Sequence, residues 1–327
     1  MKKRNSLIFV IGLLVCVLSI LAQNSHAQKK AAVKSDETQK STKKSVLQQY
    51  IDFSALPMNQ RGKTFNDLSA EEKASLFRFH LAFQLANRQN LTQAQKDQIL
   101  DAMLLATPEI YGSDSKKRIS AQQQLEVFVQ KAKILFTGQE VFEIFGSVGA
   151  KPKDLEKLQK YENFSPYDFE SRRQMFKDST VIERADAWDI HCAVFLAERP
   201  ELHAYQQAFV VELFDFINAE LFDIRADNPK WESMVGKPIA ELLKRAQPLF
   251  AKEQIITLFS QLGGSRGTSS LRSPESPTDD CQCHRGTGDL CAYDCAGTNC
   301  TVWSVGCGVL WLQSCNGVAC NEIPILT

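Results

Sequence analysis

Eight cysteines near the C-terminal end of the chain are the residues best suited to chemistry. They fall within 40 residues, so one residue in five there is cysteine: Cys281, Cys283, Cys291, Cys295, Cys300, Cys307, Cys315 and Cys320. This density predicts a disulfide framework. Zinc is the alternative, since Cys281, Cys283 and His284 are close, but no pair of Cys-x-x-Cys motifs is present. We predict disulfides and no metal; about 100 pairings are possible.

A second cysteine pattern is that of a catalytic thiol, because Cys192 follows His191 directly. Cys192 also lies four residues after Trp188 and three before Phe195, on the apolar stripe of a predicted helix. Free cysteines in that position are most often buried and inert. We therefore predict no catalytic residue.

Other residue types give no site. His80, His191 and His203 lack the spacing of paired ligands on one helix, and the acidic residues Asp223 and Asp227 lack the glycine and distal glutamate of a calcium loop. We predict no cofactor.

The first 27 residues have the order of a secretory signal peptide. A positive start (Met1 to Arg4) precedes an apolar run from Leu7 to Ala22, and Ser25-His26-Ala27 offers a cleavage site. Cleavage after Ala27 would leave 300 residues (327 minus 27) with a net charge of −3 (35 basic against 38 acidic). Export agrees with the disulfide prediction, and the charge gives no general attraction to nucleic acid. Residues 28–44 are lysine-rich and predict a disordered arm.

Residues 45–262 carry helix signals throughout. Predicted helix starts are the pairs Ser69/Glu72, Thr92/Gln95, Ser120/Gln123, Thr137/Glu140 and Thr180/Glu183, together with Ser165-Pro166. Leu202 to Phe222 is predicted as one helix, and Gly263 is predicted as a helix C-cap. These signals predict an all-α fold, a bundle or an irregular helical array, with no fixed-period repeat.

A linker and a small module follow the helical domain. Residues 263–280 are rich in glycine, serine, threonine and proline, so they predict a flexible linker open to proteolysis. Residues 281–327 form a disulfide-rich module that is too short for a large core. Its most apolar residues include Trp303, Val309, Leu310, Trp311 and Leu312. They are predicted either to contact a target or membrane, or to form a tiny core around the disulfides.

The module resembles the bacteriocin fulvocin C, and the whole chain resembles fulvocin C-related proteins. The resemblance rests on Cys281-Gln282-Cys283, on Gly306-Cys307-Gly308 followed by Trp311, on Cys315-Asn316-Gly317 and on the count of eight cysteines. It covers about the last 45 residues. It implies a secreted antibacterial peptide.

Three functions follow as hypotheses. The first is a secreted bacteriocin-like precursor, in which the helical region is a pro-region or carrier. Its partners would be the secretion machinery, signal peptidase, a processing protease and the envelope of target bacteria. The second is an uncleaved extracellular or periplasmic binding protein with a cysteine-stapled cap. The third is an exported hydrolase without a recognised site.

Overall fold

The structure is a computed structural model that describes residues 44–88, 90–112, 115–167, 169–224, 228–263, 281–283, 303–307 and 309–319. The predicted signal peptide, nearly all of the basic arm and linker residues 264–280 lie outside these ranges. The chain divides into two compact units. The first comprises Met1–Gln84 and Asn90–Leu155, and the second Leu85–Gln89 and Glu156–Thr327. Residues 45–262, predicted as one helical domain, are therefore divided between two units, and the described part of the module belongs to the second.

The helices of the first half range from four to 21 residues. They are α1 (Val46–Ala55), α2 (Met58–Asp67), α3 (Ala70–Asn87), α4 (Gln93–Leu105), α5 (Pro108–Tyr111), α6 (Ser115–Leu135) and α7 (Gly138–Val141), which continues as the π-helix Phe142–Gly146.

The second half begins with five helices in the same order and then differs. It contains α8 (Pro152–Phe164), α9 (Phe169–Asp178), α10 (Val181–Ala197), α11 (Ala204–Phe216), α12 (Ala219–Asp223), a π-helix (Glu232–Gly236), α13 (Lys237–Ala246) and α14 (Lys252–Ser260). The helical domain is thus all-α, and no strand occurs in the described part of residues 44–263. No described helix has the length and apolar character needed to cross a membrane.

Most predicted helix starts are confirmed. Capping boxes open α4, α7 and α10 at Thr92, Thr137 and Thr180. At α3, Ser69 and Glu72 exchange the same two hydrogen bonds. Each box satisfies backbone N–H groups that the first helical turn leaves unpaired.

Three predictions about where helices begin and how far they extend are wrong. Ser120 lies inside α6, which begins at Ser115. Ser165 follows α8 instead of capping the next helix, because its hydroxyl donates a hydrogen bond to the Gly263 carbonyl. The single helix expected over 202–222 is broken at Asn218, whose side chain caps α12.

The two halves are internal duplicates, which corrects the prediction that the chain has no repeat. Residues 50–111 and 161–222 align without a gap at an offset of 111 (161 minus 50), and 16 of these 62 positions are identical. Aromatic residues recur at five of the aligned positions: Tyr50 and Tyr161, Phe53 and Phe164, Phe65 and Phe176, Phe77 and Trp188, Tyr111 and Phe222.

The same buried hydrogen bonds recur in both units. In the first, Tyr50 Oη lies 2.8 Å from His80 Nδ1, and His80 Nε2 lies 3.2 Å from the Glu143 carbonyl. In the second, Tyr161 Oη lies 2.9 Å from His191 Nδ1, and His191 Nε2 lies 2.7 Å from the Thr257 carbonyl. The chain therefore contains two copies of one helical unit.

Each copy also ends at a glycine with positive φ. Gly149 has φ 121° and Gly263 has φ 94°. The prediction that Gly263 is the C-cap of the last helix is wrong, because α14 ends at Ser260 and its C-cap is Gln261. An arginine side chain occupies the space that a Cβ would need at each, Arg61 at Gly149 and Arg172 at Gly263. Glycine is required at both positions for its backbone angles and its lack of a side chain.

Candidate functional site

A tight turn in the C-terminal module reaches into the second helical unit. Three antiparallel strands, β1 (Cys281–Cys283), β2 (Trp303–Cys307) and β3 (Gln313–Ala319), form a sheet in the order β1-β3-β2. Between β2 and β3 lies a 3₁₀ turn, Val309–Trp311. We call Leu310, Trp311 and Leu312 the tip.

The tip is completely packed. Leu310 and Trp311 are 0% exposed and Leu312 is 4% exposed. β2 contacts α9, and the turn contacts the end of α14. The module therefore contributes side chains to the core of the second unit instead of standing apart from it.

Three aromatic rings and one carbonyl surround the indole of Trp311. Ring centroids of Phe164, Phe176 and Trp188 lie 6.2, 5.3 and 6.2 Å from that of Trp311, with the last two in edge-to-face arrangement. Trp311 Nε1 donates a 2.8 Å hydrogen bond to the Ser260 carbonyl at the end of α14. We call Phe164, Phe176, Trp188 and this carbonyl the aromatic cage. Such a cage provides both apolar contact area and a partner for the one polar atom of indole.

The tip backbone is strained. Leu310 has φ 52° and Trp311 has φ 54°. Left-handed angles cost a residue with a side chain about 1–2 kcal/mol each. Two in succession persist where surrounding contacts hold them. Here those contacts are the cage.

Three of the residues predicted as possible target or membrane contacts, Leu310, Trp311 and Leu312, are buried in the uncut chain. The alternative, a core internal to the module, does not describe them, because the rings around Trp311 come from helices α8, α9 and α10. The side chains of the other two predicted contact residues, Trp303 and Val309, lie outside the described residues.

A buried histidine lies beside the cage. Trp188 meets the His191 ring edge-to-face at 5.2 Å. Since the Thr257 carbonyl can only accept, His191 Nε2 carries the proton and Nδ1 accepts from the Tyr161 hydroxyl. Burial lowers the pKa of His191 to about 4 and raises that of Tyr161. The ring is neutral at pH 7 and joins α8, α10 and α14.

Cys192 is buried and its thiol is free, as the helical stripe predicted. Burial raises the pKa of Cys192, and the nearby Asp189 carboxyl raises it further. A thiol that does not ionise is a poor nucleophile. Asp189 is itself buried, which raises its pKa, and its Oδ1 has no hydrogen-bond partner. In the described part of the chain no group of three residues could hold a metal ion.

Four of the eight predicted disulfide cysteines lie on described strands. Cys281 and Cys283 are in β1, Cys307 is in β2 and Cys315 is in β3. The others, Cys291, Cys295, Cys300 and Cys320, lie outside the described residues. The register places Cys283 opposite Cys315 across the β1–β3 pair.

We expect a Cys283–Cys315 disulfide, because residues directly opposite in an antiparallel pair have Cα atoms about 4.5–5.5 Å apart, within the range that a disulfide spans. Peptide mapping of the oxidised protein without reductant should give one linked fragment containing both residues. Replacing Cys283 with serine should leave Cys315 open to alkylation, and the matched Cys281→Ser variant should not. A map that joins Cys315 to another cysteine would contradict the register.

Sequence reasoning placed the cage aromatics in an ordinary helical core and missed the site. Comparing the halves would have drawn attention to them, because each has an aromatic counterpart 111 residues earlier. No protein-family model, curated protein or solved structure matches this chain.

Proposed function

We propose that the chain is an exported precursor of a disulfide-stabilised, bacteriocin-like antibacterial peptide, and that the second helical unit is a carrier that masks the peptide's apolar tip. The precursor would leave the cytosol through the secretion machinery and lose residues 1–27 to signal peptidase. A processing protease would then cut within residues 264–280. The released module would act on the envelope of competing bacteria.

The single observation that supports masking is the burial of the tip in the aromatic cage. Indole and leucine side chains are suited to a bacterial membrane or an apolar receptor surface, and free in water they would favour aggregation. While Trp311 is in the cage, these groups cannot reach a target. The resemblance of the cysteine pattern to fulvocin C supports the antibacterial part of the proposal.

The strained backbone of the tip supports a further part of the proposal, namely that the module changes conformation on release. Without the cage, Leu310 and Trp311 would no longer be held in left-handed angles. Release would therefore both uncover the tip and let its backbone relax. The carrier would hold the peptide in a conformation different from its active one.

The second candidate is an uncleaved extracellular or periplasmic protein whose module is a permanent cap. The complete burial of Trp311 and its hydrogen bond to Ser260 favour this candidate, because a structural cap needs such an anchor. The two candidates differ in the fate of the linker.

Intact-mass analysis of culture medium and periplasm without reductant separates them. The precursor hypothesis expects a species cut within residues 264–280 whose mass is lower by two hydrogens for each disulfide, and it expects this purified species to inhibit growth of related bacteria. The uncut chain, assayed in parallel as the control, should be inactive. Finding only the uncut chain, with a synthetic oxidised module that inhibits no strain tested, would refute the proposal and leave the permanent cap.

A further inference from the structure

The first helical unit keeps the framework of the aromatic cage, and none of its described residues takes the place of Trp311 there. Phe53, Phe65 and Phe77 take the positions of Phe164, Phe176 and Trp188. The surrounding contacts are duplicated too: Phe65 lies 6.0 Å from Tyr111, edge-to-face, and Phe176 lies 5.9 Å from Phe222 in the same way.

The helix that the module covers in the second unit has an uncovered counterpart in the first. On α9, which contacts β2, Arg173 and Phe176 are buried. On α2, no residue is buried. Gly62 stands where Arg173 stands in the repeat, and a Cβ there would meet nothing within 4 Å.

The aromatic rings of the two units differ in exposure in the same way. Phe176 is 2% exposed and Trp188 0%, whereas Phe65 and Phe77 are half-buried. Without an indole between them, Phe53 and Phe65 touch directly, with ring centroids 6.2 Å apart. An indole entering between them would require the Phe65 ring, on a helix with no buried residue, to move aside. The half-cage of Phe53, Phe65 and Phe77 is thus a partly closed version of the occupied site.

The acceptor carbonyl has a counterpart as well. The helix α14 that provides Ser260 spans nine residues, and α7 with its π-helix spans nine and ends at Gly146. Gly149 lies three residues after the π-helix ends, and Gly263 lies three residues after α14 ends. The Gly146 carbonyl therefore corresponds in sequence to the one that receives the Trp311 indole.

We propose that the half-cage of the first unit binds the tip of a second module of this protein, so that each helical region can hold two modules. The occupant follows from the duplication, because the equivalent surface is covered by this very segment. It must be a released module: a tip still joined to its own chain is held by its own second unit at a high effective concentration. The inference therefore rests on the proposed release by cleavage.

The test uses the intact mature chain, whose own cage is filled, and a synthetic oxidised module of residues 281–327 as the probe. Calorimetric titration is expected to show saturable binding of one module per chain. Phe65→Ser should weaken binding about tenfold or more, since a central aromatic contact contributes 1.4 kcal/mol or more. Ile134→Ser, at an 84% exposed position of the same unit, should leave binding unchanged.

Two further measurements keep the result independent of folding. A probe carrying Trp311→Ala should not bind, although the chain itself is unaltered. A photoreactive phenylalanine derivative at Met58, which is 62% exposed on α2, should crosslink to the probe near residues 303–319.

Absence of saturable binding to the intact chain would overturn the proposal. So would equal binding by the Phe65→Ser variant, or binding only to chains whose own Trp311 has been replaced. Because the probe is supplied already cut, failure here is distinct from failure of cleavage in the culture, which the mass analysis reports separately.

Discussion

Replacing Trp311 with alanine is expected to lower the free energy of unfolding of the second unit by about 3–5 kcal/mol, the usual cost of truncating a large buried aromatic side chain. The indole is 0% exposed and touches rings from three helices, so little of the cavity can close. Hydrogen exchange of the intact mature chain, followed by mass spectrometry, should show faster exchange in α8, α9, α10 and α14.

Two control variants separate the parts of this effect. Trp311→Phe keeps a ring but removes the donor to the buried Ser260 carbonyl, so a smaller loss of about 1–3 kcal/mol is expected. Ile182→Ala, at a position of α10 that is 62% exposed, should change the stability little. If Trp311→Ala left exchange in these helices unchanged, the module would be an independent appendage and the masking hypothesis would fail.

The same variant bears on processing. A chain with a loosened tip should be cut faster in its linker, because the module spends more time away from the helices. Limited proteolysis with equal amounts of the native and Trp311→Ala chains measures this. Equal rates would mean that the cage does not control access to the linker.

The helical part of the fold could be predicted because its signals are local. A hydroxyl residue followed three positions later by a glutamate or glutamine fixes a helix start wherever the rest of the chain lies. Thr92, Thr137 and Thr180 are confirmed for this reason. The prediction for Ser165 is wrong because the Gly263 carbonyl, which is distant in sequence, accepts the hydrogen bond from its hydroxyl.

The tip could not be placed from sequence for a related reason. The short apolar run at 309–312 indicates burial or exposure equally, and the answer depends on helices that lie more than a hundred residues earlier. The histidines show a different limitation, because residue spacing on one helix does not reveal a partner on another helix. His80 and His191 each lie within hydrogen-bond distance of a tyrosine 30 residues earlier. Alignment of the two halves carries that information and single motifs do not.

The second large effect is expected from acid. Burial holds the pKa of His191 at about 4, below the ordinary value of 6.5. The unfolded chain therefore takes up a proton near pH 6.5 that the folded chain does not take up until pH falls to about 4. The contribution of His191 is fully present above pH 6.5, is lost as pH falls through this window, and amounts to about 3 kcal/mol.

The titration of Asp189 changes the stability with pH in the opposite direction, and its contribution must be separated from that of His191. Burial raises its pKa, so its contribution to stability is present at low pH and is lost as pH rises above 3.8.

Comparing the stability of each variant with that of the native chain at every pH isolates the contribution of one group. His191→Gln keeps a side-chain donor for the Thr257 carbonyl but cannot ionise. The excess stability of the native chain over this variant should shrink by about 3 kcal/mol between pH 7 and pH 4. Asp189→Asn should make the acid loss steeper.

The acid response should reach the tip, because Trp188 contacts both the His191 ring and the Trp311 indole. Protonation of Nδ1 would remove the acceptor of the Tyr161 hydroxyl and place a charge where α8, α10 and α14 meet. Protection of the amides around the tip, read by hydrogen exchange at pH 7 and pH 4.5 with rates corrected for intrinsic pH dependence, should fall in the native chain and fall less in His191→Gln. Equal losses in the two chains would show that the histidine and the cage are not coupled, and that acid does not loosen the tip through this contact.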